Sequence, residues 1–88
     1  MKYQLQEHVS LTTVDDDAVL LDLDKGHYFG LNHVGTQFLQ MIEKGFGHEQ
    51  VITEIAQRYT IDYNQVKDDI DDLIGQLMEQ NLLQSVNE

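Results

Sequence analysis

The histidines are the side chains of this sequence that could bind a metal or transfer a proton. They are His8, His27, His33 and His48. None of them stands at the i, i+4 spacing of a helical zinc pair, and the chain has no cysteine to complete a structural metal site or a disulfide. We therefore interpret the histidines as solvated side chains at strand and helix edges, and we expect no metal and no cofactor.

A short acidic segment, Asp22-Leu-Asp24-Lys-Gly26, begins like a calcium-binding loop. It lacks the third oxygen ligand before the glycine and the later glutamate that such a loop requires. A charged turn is the better interpretation, because glycine supplies the positive φ that a tight reversal often needs.

Catalytic motifs are also missing. The serines are Ser10 and Ser85, with no local histidine arrangement to activate them, and the sequence has neither a Gly-x-Ser-x-Gly elbow nor a phosphate-binding glycine loop. A chain of 88 residues leaves little room for a pocket beside its core. We predict that the protein is not an enzyme.

The charge balance restricts the partners. Sixteen acidic residues against five basic ones give a formal net charge of −11. Such a surface repels nucleic acids and anionic membranes, whereas it tolerates partners with neutral or basic segments. No apolar run is long enough to span a membrane, and the first residues lack a signal-peptide core. We expect one cytoplasmic domain over residues 1–88.

The first third of the chain has the alternating pattern of strands. Residues 3–11 alternate apolar and polar, with Glu7 as the exception on the apolar face. A charged turn is predicted at 15–17, and residues 18–23 are nearly continuously apolar, which is typical of a strand covered on both faces. After a turn at 24–26, His27–Leu31 forms the third strand of an antiparallel meander, whose first and third strands are edges.

The rest of the chain has helical spacing. Asn32 is a suitable N-cap for a first helix, whose apolar face ends before the glycines at 45 and 47. A second helix is predicted at 48–59. The third starts with a capping box of Asp62 and Gln65, is flanked by a staple of Ile61 and Val66, and stops near Asn81. The residues of its apolar stripe are Val66, Ile70, Leu73, Ile74 and Leu77. The segment 82–83 is left as either a short strand or a packed end.

The second and third helices are joined by only Thr60 and Ile61, which makes them a helix-turn-helix candidate. In a DNA-binding protein the third helix would enter the groove, but it carries a single Lys67 against six acidic residues, and phosphates would repel it. Those residues are Asp62, Asp68, Asp69, Asp71, Asp72 and Glu79. The predicted fold class is α+β, winged helix-turn-helix-like, with a three-stranded antiparallel sheet followed by three helices, and no nucleic acid is expected as a partner.

The third strand lacks the usual protection of a sheet edge. His27–Leu31 contains no lysine, no other fully charged residue and no proline, although Gly30 could mark a bulge or a close backbone approach. Two explanations stay open from the residues alone. Either a helix or another part of the chain covers this edge, or the edge receives an extended peptide as an added strand.

The segment 19–32, Val-Leu-Leu-Asp-Leu-Asp-Lys-Gly-His-Tyr-Phe-Gly-Leu-Asn, followed by Val34 and Gly35, resembles the PqqD-like family. Members of this family are small recognition elements of pathways that modify ribosomally made peptides. The matching positions are Leu20 to Leu23, Gly26, Tyr28, Leu31, Asn32 and Gly35. The resemblance extends over nearly the whole chain and implies a domain that binds the leader of a precursor peptide as an extra strand.

The resemblance also implies a site and partners. The leader would lie along the third strand and in the groove beside the third helix. The implied peptide-binding residues are His27, Tyr28, Phe29, Gly30, Leu31, Val66, Asp69, Ile70 and Leu73. Stand-alone members of this size resemble the recognition proteins of lasso-peptide pathways, so the implied further partners are a leader peptidase and an ATP-dependent cyclase, or a radical-SAM enzyme.

An alternative function remains beside leader binding. The same edge could serve a regulatory or scaffold domain that binds another protein or a second copy of itself. The expected state is a monomer or an edge-paired dimer.

Overall fold

The computed structural model describes residues 2–15 and 17–86, and these form five strands and three helices. In chain order the elements are β1 (Lys2–Leu5), β2 (Val9–Val14), β3 (Asp17–Asp22), β4 (His27–Leu31), α1 (His33–Glu43), α2 (His48–Tyr59), α3 (Tyr63–Glu79) and β5 (Leu83–Val86). A three-stranded antiparallel sheet of order β2-β3-β4 precedes the helices, which confirms the predicted fold class. Over the described residues, no helix combines the length and the apolarity needed to cross a membrane.

The prediction of a single strand over residues 3–11 is wrong, because the chain breaks there into β1 and β2. Glu7, the charged exception in the alternating pattern, lies exposed in this break. The Val9 N–H donates to the Gln6 carbonyl over 3.1 Å, which forms a turn between the two strands. β1 then pairs antiparallel with β5 in a separate two-stranded sheet. The segment 82–83, left open from the sequence, therefore leads into a strand.

The prediction that the second strand is covered on both faces is also wrong. In β3 the side chains of Ala18, Leu20 and Asp22 are buried, and the residues between them are only half-buried. The helices lie on one side of the sheet, so the other face has no covering layer. Leu23, which we predicted as the last strand residue, follows β3 in a turn with 61% of its surface exposed.

The predicted charged turn is shorter than expected. Asp15 lies in the turn between β2 and β3 with a φ of 57°, a left-handed conformation that aspartate tolerates better than most residues. Asp17 is already the first residue of β3. Asp16 lies outside the described residues.

The helices begin and end near their predicted positions, but the capping box of α3 does not form. Asp62 occupies the N-cap position, yet its side chain makes no capping hydrogen bond. The Asp62 and Gln65 side chains are both exposed, and the Gln65 N–H donates to the Asp62 backbone carbonyl over 3.1 Å instead. At the other end, Asn81 has a φ of 63°, and the Leu82 N–H donates to the Leu77 carbonyl over 2.8 Å. This left-handed cap confirms the predicted stop and turns the chain toward β5.

The three helices and the inner face of β3 enclose one apolar core. Its largest fully buried apolar side chains are Phe38, Leu20, Leu39, Ile52, Ile55, Ile70, Leu77, Leu83, Val51 and Val66. The stripe predicted for α3 supplies four of its buried residues, whereas Leu73 is only partly buried at the margin of the core. That margin faces β4.

Candidate peptide-binding groove

Strand β4 is an edge strand, and the register of the sheet shows which of its backbone groups are free. The Leu23 N–H donates to the His8 carbonyl over 2.8 Å, just beyond the last β2–β3 pair. Successive residues of a strand point their backbone groups to opposite sides. Leu23 and the odd-numbered residues of β3 therefore bond toward β2, and the even-numbered residues of β3 bond toward β4.

In β4, the residues that pair with the even-numbered residues of β3 are His27, Phe29 and Leu31. The backbone groups of these three residues are used within the sheet. The N–H and C=O groups of Tyr28 and Gly30 consequently point away from β3, to a side on which β4 has no partner among the described strands. This edge can accept an extended peptide without breaking an existing strand pair.

A groove of about 360 Å³ lies between this edge and α3. Residues of β4, of the following turn and of the start of α1 form one side, and one face of α3 forms the other. The lining residues are Phe29, Gly30, Leu31, Asn32, Val34 and Gly35 on the first side, and Asp69, Ile70, Asp72, Leu73 and Gln76 on the second. The lining combines apolar side chains with polar side chains that lie mainly on α3, which suits a site that buries alternate side chains of a strand.

The structure places six of the nine predicted site residues around this groove. They are Phe29, Gly30, Leu31, Asp69, Ile70 and Leu73. His27 and Tyr28 line a second cavity of about 280 Å³ at the other end of β4, together with Phe29 and Glu79. Val66 does not line the groove, because it is packed in the core with 1% of its surface exposed.

Sequence reasoning did not name several of the lining residues. Asp72 and Gln76 lie three and seven positions after Asp69, so the helical period alone places them on the same face. Glu79 continues this face toward the second cavity. The lining residue Gly35 was recognised in the family pattern, but its position in the groove was not predicted.

Asp22 is a buried carboxylate that shapes the hairpin before β4. Its Oδ1 accepts the N–H of Asp24 over 3.0 Å and the N–H of Lys25 over 3.1 Å. Burial raises the pKa of Asp22, but these two hydrogen bonds and the electrostatic influence of the nearby His8 and Lys25 side chains outweigh burial, so its pKa lies below the ordinary value. Gly26, with a φ of 71°, completes the reversal.

Asn32 and Gly35 fix the start of α1 against α3. The Gly35 N–H donates to the Asn32 Oδ1 over 2.8 Å and caps the helix. A Cβ at position 35 would lie 3.1 Å from the Leu73 Cδ2, so only glycine allows this close approach without a shift. The family pattern around residues 22–35 therefore consists of residues that build the hairpin, the cap and one end of the groove.

Three acidic residues in the middle of α3 differ in their surroundings. Asp71 is neutralised within the fold, because it accepts a hydrogen bond of 2.7 Å from Lys67 and lies 3.0 Å from the Nε2 of His48. The bond from Lys67 is the main reason why the pKa of Asp71 lies below its usual value, despite partial burial. Asp69 and Asp72 are exposed at the groove rim and make no ion pair with the described residues.

The described residues contain no group of three or more histidine, cysteine, aspartate or glutamate side chains that could hold a metal ion. The groove itself offers backbone donors and acceptors, apolar surface and two carboxylates. These groups suit the binding of an extended peptide.

Two solved structures resemble the whole chain. The first, described as "TbiB1 in Complex with the TbiA(beta) Leader Peptide", is 30% identical, with a TM-score of 0.86 over 97% of this chain and 99% of that chain. The second, "Lasso peptide synthetase B1 complexed with the leader peptide", is 24% identical and has the same fold, with a TM-score of 0.86 over 97% of this chain and 100% of that one. No curated protein sequence matches the chain. The family described as "Coenzyme PQQ synthesis protein D (PqqD)" matches residues 17–83, and the chain belongs to this family.

Proposed function

We propose that this protein is a non-catalytic peptide chaperone that binds the leader of a ribosomally made precursor peptide and presents it to maturation enzymes. The observation that carries the proposal is the free edge of β4, where the N–H and C=O groups of Tyr28 and Gly30 face the groove side without a strand partner among the described residues. Two proteins of the same fold have been solved with leader peptides, and one of them is 30% identical to this chain.

In the proposed complex the leader adds a strand beside β4. Main-chain hydrogen bonds to Tyr28 and Gly30 fix its register, and alternate leader side chains enter the groove against Phe29 and Leu73. His27 and Leu31 extend the contact at the two ends of the strand. Ile70 and Val66 support the groove from the core, where both are almost completely buried.

The affinity that suits this function is moderate. Free leaders are commonly disordered, and ordering such a segment costs about 2–5 kcal/mol of the interaction energy. A dissociation constant near micromolar, about −8 kcal/mol, suffices for a complex that must later release the peptide. The enzymes that would receive the leader are, by this proposal, a leader peptidase and an ATP-dependent cyclase of the lasso-peptide type, all in the cytoplasm.

The direct test is a titration of the purified protein with the synthetic leader of the precursor peptide encoded beside its gene. We expect a one-to-one complex with micromolar affinity in calorimetry. A scrambled peptide of the same composition is the control. Equal binding of the leader and the scrambled peptide would overturn the proposal.

A second candidate function is a scaffold that associates through its sheet edges. The observation that favours it is that β2, the other edge of the three-stranded sheet, also contains no charged residue and no proline. Sedimentation velocity tests for such association and locates its surface. A concentration-dependent dimer that dissociates when the leader is added would show that self-association uses the β4 edge, and a dimer insensitive to the leader would point to another surface.

A further inference from the structure

The carboxylates on the rim of the groove indicate what kind of peptide the groove accepts. Asp69 and Asp72 lie three residues apart on α3, which places them as neighbours on one helix face. Both are exposed, and neither pairs with a described cation. The lining of the groove contains no lysine, arginine or histidine. A peptide in the groove would meet two negative charges and no positive one.

Asp71, on a different face of α3, has different surroundings. Asp71 accepts a hydrogen bond from Lys67 of α3 and lies beside His48 at the start of α2. Its charge is therefore compensated by side chains of the protein itself. Asp69 and Asp72 instead face the space in which a fourth strand would lie. The free backbone groups at Tyr28 and Gly30 point independently to an extended peptide as the occupant of that space.

We propose that the peptide bound in this groove carries a basic side chain that pairs with Asp69 and Asp72. This inference rests on the proposed function and adds the chemical class of the ligand. The two carboxylates can contact one ammonium or guanidinium group together, and a guanidinium group can bond both in its planar fork. A leader with an acidic residue at that position is disfavoured by like-charge repulsion.

The expected effect is modest for each carboxylate, because exposed ion pairs are screened by water and salt. We expect Asp69→Asn and Asp72→Asn each to weaken leader binding about two- to fivefold at low salt, mainly through slower association. Asp68→Asn is the matched control, because it removes the same charge from an exposed position of α3 that does not line the groove. It should leave the affinity within about twofold of the wild type.

The position of the basic residue is found by a double-mutant cycle. Each lysine or arginine of the synthetic leader is replaced by glutamine in turn, and each peptide is titrated against the wild type and against the double variant with asparagine at positions 69 and 72. The expected result is one leader position whose replacement weakens binding to the wild type and has no effect on the double variant. Between about 50 and 500 mM salt, binding to the wild type should also weaken more steeply than binding to the double variant, because salt screens the charged pair.

The outcomes separate this inference from the proposed function. If the leader does not bind the wild type at all, the proposed function fails. If the leader binds the wild type and all three aspartate variants with equal affinity and equal salt dependence, leader binding stands and the basic-peptide inference is wrong. A leader without any basic residue that binds normally would contradict the inference as well.

Discussion

Replacement of Gly30 by proline removes one backbone donor from the free edge of β4. The structure predicts that this donor is not used within the sheet, because Gly30 stands opposite Val19 in a pair whose backbone groups point away from each other. Proline is tolerated on an edge strand when its missing N–H faces outward. Folding should therefore be nearly unchanged, with a free energy of unfolding within about 1 kcal/mol of the wild type.

The effect on leader binding should be larger. One main-chain hydrogen bond contributes about 0.5–1.5 kcal/mol net, which corresponds to about a two- to twelvefold change in affinity. The proline ring also occupies the space of the lost hydrogen. Because paired strands lie only about 4.8 Å apart, the ring would push the leader away from β4. The hydrogen bonds between the leader and Tyr28 should therefore weaken as well. We expect a total loss of about ten- to a hundredfold.

Two control variants isolate the lost donor. Gly30→Ala keeps the N–H, and its added Cβ would meet no atom within 4 Å, so binding should stay within about twofold of the wild type. Thr13→Pro places the same substitution on the opposite edge of the sheet, in β2, where Thr13 also points its backbone groups outward. It should not change leader binding.

The assay is isothermal titration of each variant with the leader peptide, with circular dichroism to verify the fold because the chain has no tryptophan. A folded Gly30→Pro variant that binds as tightly as the wild type would show that the Gly30 N–H does not contact the leader. If Gly30→Ala loses as much affinity as Gly30→Pro, the cause is the side chain and not the donor.

Three further predictions concern the fold that positions the groove. Leu77→Ala removes a fully buried side chain from α3 and should lower the free energy of unfolding by about 2–5 kcal/mol in urea denaturation. Gly35→Val forces branched carbons toward Leu73, so calorimetry should show weaker leader binding together with a destabilisation of about 1–3 kcal/mol. The pKa values of Asp22 and Asp71 are lowered in the folded protein, so the stability they contribute is present above their unfolded pKa of about 3.8 and is lost as the pH falls through the folded values. A double variant with asparagine at both positions should therefore show a shallower loss of stability below about pH 4 in acid titration by circular dichroism.

The elements that form the groove were predictable because their patterns are local. His27–Leu31 is bounded by a turn and an N-cap, and the apolar spacing of α3 continues along the helix. The helical period would also have located Asp72 and Gln76 beside Asp69. The edge position of β4 followed from the order of the strands, since a meander of three leaves its last strand with one open side.

Other features depend on contacts between distant parts of the chain. The pairing of β1 with β5 joins segments from opposite ends of the sequence, and a single charged exception at Glu7 was not enough to show that the strand must break there. The one-sided burial of β3 depends on where the helices pack. The almost complete burial of Val66 and Ile70 also became visible only in the packed structure. It distinguishes residues that support the groove from residues that contact the peptide.

Hydrogen exchange of individual backbone amides tests whether the leader adds a strand at β4. In the free protein the Tyr28 and Gly30 amides should exchange quickly, since they have no strand partner among the described residues. Saturation with the leader should slow both by about tenfold or more, while the amides of Leu11 and Thr13 on the opposite edge keep their rates. Unchanged exchange at Tyr28 and Gly30 under saturating leader, or protection that appears on β2 instead, would contradict strand addition at β4.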